Sequence, residues 1–302
     1  MFLIRYFLIF ILIFGATSSQ FALGQDSVIF QDRFDQPFYV LDNSITIVCP
    51  TARVGDTFEI EGTIYTKRNR EQITAENAST TCTSGITNMS RLFEGDASFN
   101  SDVSHWDTSA VTTMRAMFRK ARTFDQPLNN WDVSSVTDMS EMFSEARSFN
   151  QPLNNWDVSS ATNMSWLFWD AQSFNQPLDN WDMSKVTDTG SMFAGALAFN
   201  QPLSSWNVST VTLMNRMFER ANSFNQALAS WDVSAVTNMD YMFISASSFN
   251  QDLSSWCVSK ISSKPLRFDE SAVAWTLQRP VWGTCSDNKF YRGNIRGGSS
   301  SY

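Results

Sequence analysis

One histidine, four cysteines, eight prolines and twelve glycines stand in 302 residues, and only 17% of the chain is charged. So little Gly and Pro argues against a collagen-like or low-complexity chain. Disorder is opposed from the other side, since 43% hydrophobic and 14% aromatic residues supply the burial that disordered chains lack. Basic residues are short too: 22 Lys and Arg against 30 Asp and Glu leave a net charge of -8, which repels phosphate backbones instead of releasing their counterions. The Lys67-Arg68-Asn69-Arg70 cluster is too short to reverse that, and no nucleic-acid partner is expected. Little material remains for a metal cluster or a His-based site, so neither metal nor cofactor is expected.

No apolar run reaches the roughly 20 residues that a membrane-spanning helix needs. Tyr6 to Phe14 is unbroken and apolar, follows a short n-region with the single charge of Arg5, and gives way to small and polar residues from Gly15. That is the layout of a secretory signal peptide, with Ala22-Leu23-Gly24 as a small-x-small cleavage site before Gln25. Residues 1–24 are expected to be removed, leaving a secreted or cell-surface chain without membrane insertion. In that setting Cys49, Cys82, Cys257 and Cys285, which form no CxxC pair, read as disulfides. Three pairings are formally possible. Cys49 with Cys82 and Cys257 with Cys285 is preferred, because each pair brackets one end of a repeated region.

That region dominates the chain. Trp106, Trp131, Trp156, Trp181, Trp206, Trp231 and Trp256 are each 25 residues apart. Phe93, Phe118, Phe143, Phe168, Phe193, Phe218 and Phe243 keep the same phase, as do Phe99, Phe124, Phe149, Phe174, Phe199, Phe224 and Phe249. Seven units fill residues 86–260 without insertion or deletion, which is the signature of stacked repeats. Within a unit, Leu128-Asn-Asn-Trp131-Asp-Val133 has the L-x-x-L-x-L spacing and predicts a short strand with Trp131 and Val133 inward. Met139, Met142, Phe143 and Ala146 have one-face helical spacing and predict a helix of about two turns, started at Thr137 or Ser140. The expected fold is therefore an α/β solenoid, a leucine-rich-repeat-like right-handed superhelix with one strand and one helix per turn. Residues 25–85 are expected to form an N-terminal β-rich cap, with short strands over 44–49 and 56–66 and a hairpin turn at Glu61-Gly62. Residues 261–285 would form a C-terminal cap and 286–302 a flexible tail.

The unit W-D-V-S-x-V-T-x-M-x-x-M-F-x-x-A-x-x-F-N-Q-P-L, nearly undistorted from Trp131 to Leu153, resembles that of the BspA-type leucine-rich repeat surface proteins. The flanks are similar to bacterial members as well, at Gly55-Asp56-Thr57-Phe58 and at Pro280-Val281-Trp282-Gly283-Thr284-Cys285. The resemblance implies an exported, non-enzymatic protein associated with adhesion and surface recognition.

Several polar columns run in phase with the aromatic ones. Asp107, Asp132, Asp157, Asp182, Asn207 and Asp232 form a column of expected exposed residues, a candidate for binding sugar hydroxyls or cations. Stacked carboxylates repel by roughly 1 kcal/mol per neighbour in water. The competing reading is local: each carboxylate accepts hydrogen bonds from backbone or from the Ser two positions on, and Asn207 favours that reading by keeping the shape without the charge. The Ser134 and Thr137 columns are expected to serve inter-turn backbone groups, and the Asn150 column to form an amide ladder. Exposed variation is expected at Arg115, Lys120, Glu141, Glu145, Asp170, Arg216, Arg220 and Tyr241. Trp166 and Trp169 break the repeat in otherwise polar slots and are candidates for a recognition patch. His105 occupies a loop slot held by Asn130 in the next unit and has no triad around it. Asn77, Asn88, Asn163 and Asn207 head N-x-Ser sequons.

The function expected is recognition of a protein or glycan on a surface or in a matrix, without catalysis. The alternatives are a polysaccharide hydrolase using a pair such as Asp132 and Asp157, and a passive spacer.

Overall fold

The computed structural model describes residues 37–285, all within one unit that begins at Gln36. The signal-peptide expectation for 1–24 and the tail expectation for 286–302 lie outside the described residues.

The described chain opens with two small sheets. Strand β1 (Tyr39–Val40) pairs antiparallel with β2 (Ile47–Val48). Strand β3 (Thr57–Ile60) pairs antiparallel with β4 (Thr63–Lys67), which pairs in parallel with β5 (Thr81–Cys82). Glu61 and Gly62 turn β3 into β4 with φ of 50° and 79°, the two positive values that a tight two-residue hairpin turn requires. Disulfides join Cys49 to Cys82 and Cys257 to Cys285, the preferred pairing.

From residue 86 onward the expected α/β solenoid is overturned. Among the described residues there is no α-helix, and every strand of two residues or more lies between 39 and 82. The repeats are turns and loops joined by single-residue bridges, with no leucine-rich-repeat-like superhelix of strand and helix. The strand expected at Trp131 and Val133 does not form. Parallel bridges run instead along Asn88, Thr113, Asp138, Asn163, Asp188, Leu213 and Asn238, one residue per unit.

The backbone explains why the helical spacing misleads. Met142 N–H donates to Met139 O and Ala146 N–H to Phe143 O, both three residues back, so each set of four residues is a β-turn. The third residue of each turn has positive φ, at 61° in Glu141 and 58° in Glu145. A right-handed helix cannot pass through such residues. Apolar side chains at i, i+3 and i+4 face inward equally well from consecutive turns. Alternate amides then point along the stack: Met139, Glu141, Phe143 and Glu145 donate to the carbonyls of Asn163, Ser165, Leu167 and Trp169 in the next unit.

The interior is continuous and aromatic. Phe93 to Phe243 stack with ring centroids 5.5–5.9 Å apart, and Phe99 to Phe249 at 5.6–6.0 Å. Trp rings stack as well, as in Trp106 on Trp131 at 6.1 Å and Trp181 on Trp206 at 6.5 Å with ring planes 1° apart. Each such contact adds about 0.5–1.5 kcal/mol beyond burial. Each indole N–H of the seven Trp also donates to a carbonyl 28 residues earlier, so no polar atom of the column is stranded.

Candidate functional site

Two sets of positions outside this interior differ in chemistry. The first is the Asp column. Asp132, Asp157, Asp182, Asn207 and Asp232 are exposed, whereas Asp107 is buried. In each, Oδ1 accepts the amide N–H of the residue two positions on, from Ser109, Ser134, Ser159, Ser184, Ser209 and Ser234. At Asp107, Asp132 and Asn207 the Ser hydroxyl donates as well. The Asp157 and Asp182 carboxyls are held below the usual range, first by the hydroxyls of Ser159 and Ser184 and then by their amides. These bonds offset the mutual repulsion of stacked carboxylates. Asp107 also receives the Ser84 hydroxyl at Oδ2, beside the buried Lys67 ammonium that donates to Ser84 O. Asp107 and Asp132 border a recess of about 220 Å3 under the β1–β2 hairpin, whose lining includes Tyr39 and Leu41.

The Thr137 and Asn150 columns are spent largely on the backbone. The hydroxyl and the amide of Thr137 both donate to Thr112 O, and the pattern repeats to Thr237. Asn150 Oδ1 accepts from Asn175 N–H and from Gln176 Nε2, which continues through Asn175, Asn200 and Asn225. Asp125 holds the same place in that ladder, accepting from Asn150 and Gln151.

The second set lies in the turns, where the units differ. From Arg91 to Asp170 it is an ionic lattice: Arg119 bridges Glu94 and Glu141, Arg115 pairs with Glu141, Lys120 and Arg122 with Glu145, and Arg147 with Asp170. Asp170 was expected exposed and is instead buried, because Arg147 and the close approach of Gly195 enclose it. The lattice stops where Trp166 and Trp169 lie, with ring centroids 5.3 Å apart. Trp166 is 40% exposed at φ 62°, and Trp169 is half-buried. The next unit presents Gly190, Ser191, Ala194 and Gly195, all covered. Beyond it Arg216 lies 4.2 Å over the Tyr241 ring. Among the described residues no hydrogen bond, ion pair or ring contact joins Trp166 to the Asp column.

His105 lies in a turn, as its loop slot implied, but is buried there. It is 7% exposed, its Nε2 donates to Thr81 O, and its ring packs 5.2 Å from Tyr65. Burial lowers its pKa. Two further features escaped the sequence reading. The indole-to-carbonyl ladder was implied by the need of any buried Trp N–H for an acceptor. The second is a 26-residue step at the end of the array: Ala246, Phe249 and Trp256 are followed by Ala272, Trp275 and Trp282.

Among the described residues no group of three His, Cys, Asp or Glu is placed to hold a metal ion, and no helix is long and apolar enough to cross a membrane. The two disulfides fit an oxidising environment of the extracellular kind.

Residues 64–181 and 162–276 match the model of a family described as Mycoplasma protein of unknown function, DUF285, and the chain belongs to that family. No curated protein and no solved structure matches it.

Proposed function

We propose that the chain is an exported, non-enzymatic recognition protein that binds a protein or glycan on a surface through the turn-bearing side of its repeats. The BspA-type likeness of the unit is part of this reading. One observation carries it: the constant polar columns spend their hydrogen bonds on the protein's own ladder, whereas Trp166 stands 40% exposed in a turn slot that the neighbouring units fill with Glu141, Ser191 and Arg216. Trp, Tyr and Arg are the residues on which binding energy concentrates, and Trp166, Trp169, Arg147, Arg216 and Tyr241 are of this kind.

A hydrolase has less support. A pair such as Asp132 and Asp157 recurs along the column, at Asp157 and Asp182 as well, whereas a single active site would break the repeat. The test is an array of surface proteins and glycans probed with the signal-free chain. Capture that weakens about tenfold or more in Trp166→Ala and Trp169→Ala supports the reading. Capture by neither class, or capture indifferent to both variants, overturns it.

A further inference from the structure

The inter-unit ladder loses rungs at one place. In regular units the inter-turn bond spans 24 residues, as from Glu141 N–H to Ser165 O, but from Tyr241 it spans 25, reaching Leu266 O. One residue is therefore inserted between Ile261 and Leu266, which is the 26-residue step seen in Trp256 and Trp282. Phe268, although 25 residues after Phe243, consequently takes the place of Met242 in the unit before.

The insertion leaves groups around it without a protein partner, several of them on the exposed residues Ser262, Ser263 and Lys264. Thr237 O should accept both the amide and the hydroxyl of Ser262, as Thr212 O accepts those of Thr237. Among the described residues it accepts neither, and Met239 N–H loses the acceptor that Met214 N–H finds in Asn238 O. The amides of Ser262, Ser263 and Lys264 and the hydroxyls of Ser262 and Ser263 also make no hydrogen bond there. All these residues line one recess of about 400 Å3 together with Lys260, Asn238 and Asp240. Donors dominate it. The one carboxylate, Asp240, already accepts Leu266 N–H at Oδ1. Lys264 pairs with Asp269, while Lys260 makes no ion pair among the described residues.

Clustered amides and hydroxyls beside ammonium groups form a concavity suited to an anion, and phosphate-type oxygens can accept several such bonds at once. We propose that this recess binds a small tetrahedral oxyanion, phosphate or sulfate, through Lys260, Lys264 and the amides and hydroxyls of Ser262 and Ser263. The site is independent of the Trp166 surface, so either can fail without the other.

The test is titration of the full disulfide-bonded chain with inorganic phosphate and with sulfate at low ionic strength, followed by calorimetry. Deleting Ser263 restores the 25-residue step, and Lys260→Ala removes the unpaired cation; Lys185→Ala changes the net charge equally elsewhere. Saturable binding that weakens at least tenfold in the deletion and in Lys260→Ala but stays within twofold in Lys185→Ala is expected. Absence of saturable binding to the unaltered chain, or equal weakening by the two Lys variants, overturns the proposal. The Lys pair decides the matter if the deletion does not fold. Glucose 6-phosphate separates the sources: tighter binding than inorganic phosphate assigns an esterified group, and weaker binding the free ion.

Discussion

The indole Nε1 of Trp156 donates to the carbonyl of Leu128 at 2.9 Å, from one unit to the one before. Both groups are buried, so the bond binds consecutive units through side chain and backbone together, where ring stacking alone would leave two polar atoms without partners. The same bond recurs from Trp106 to Trp256, and it gives the column a direction as well as a spacing.

Trp156→Phe keeps an aromatic ring and removes that donor. The Leu128 carbonyl is then left buried without its partner, which costs about 1–3 kcal/mol, and the lost ring volume adds to it. Denaturant unfolding should show a lower midpoint with an unchanged slope. A variant within about 0.5 kcal/mol of the unaltered chain would mean that the indole bond contributes nothing net.

The positive-φ turn positions give a test of opposite sign. Ser245 lies at φ 56°, while its amide donates to Glu270 O. Ser245→Gly keeps the amide and relieves a conformation that costs an L-residue roughly 1 kcal/mol. A gain of several tenths of a kcal/mol or more is expected, reduced by the greater freedom of Gly in the unfolded chain, and Ser245→Val should lose about 1–2 kcal/mol. Were Gly no better than Val, the left-handed geometry would not be limiting there.

How much of this was legible in the sequence follows from those residues. The Trp and Phe columns were, because only an inward position repeats a large ring at fixed spacing. The Asn150 ladder and the Ser134 bonds to Asp132 were legible too, since short polar side chains beside backbone have few other uses. The helix was misread because Met139, Met142, Phe143 and Ala146 give the same spacing whether the chain turns by helix or by successive β-turns. No residue type marks the left-handed positions: Glu141, Trp166, Arg216 and Tyr241 share nothing that favours positive φ. Ionic contacts such as Arg119 to Glu141 depend on which turns stack, and were invisible without the backbone. The inserted residue near Ser263 leaves its trace in the 26-residue spacing of Trp256 and Trp282 beyond the last regular unit.

His105 gives a pH dependence with a defined sign. Burial lowers its pKa below the ordinary value near 6.5, so the folded protein holds it neutral while the unfolded chain takes up a proton as pH falls. Its contribution is fully present above about pH 6.5 and is lost as the pH drops from there toward the lowered folded value. Unfolding free energy measured from pH 7.5 to 5 should therefore fall in the unaltered chain and fall less in His105→Gln. The depressed Asp157 and Asp182 carboxyls act in a separate window: their share is present above the ordinary carboxyl pKa near 4 and lost below it. Identical slopes for the two chains between pH 7.5 and 5 would remove His105 from the account.

Asn175 tests whether the amide ladder needs an acceptor or an amide. Its Oδ1 accepts Asn200 N–H at 2.9 Å and Gln201 Nε2 at 2.9 Å, so one oxygen satisfies a backbone and a side-chain donor of the next unit. Its own N–H donates to Asn150 Oδ1 and does not depend on the side chain. Asp125 shows that a carboxylate oxygen can fill the same place. Asn175→Asp should therefore stay within about 1 kcal/mol, the remaining cost being charge repulsion screened at this half-buried position. Asn175→Leu has similar bulk but no acceptor, and leaves two donors without partners for a loss of about 2–4 kcal/mol, less whatever water recovers at the rim. The ordering Asn, then Asp, then Leu in thermal midpoint is the expected result. Equal losses for Asp and Leu would show that the ladder requires the amide group itself, and that Asp125 is tolerated only because it stands near the first unit.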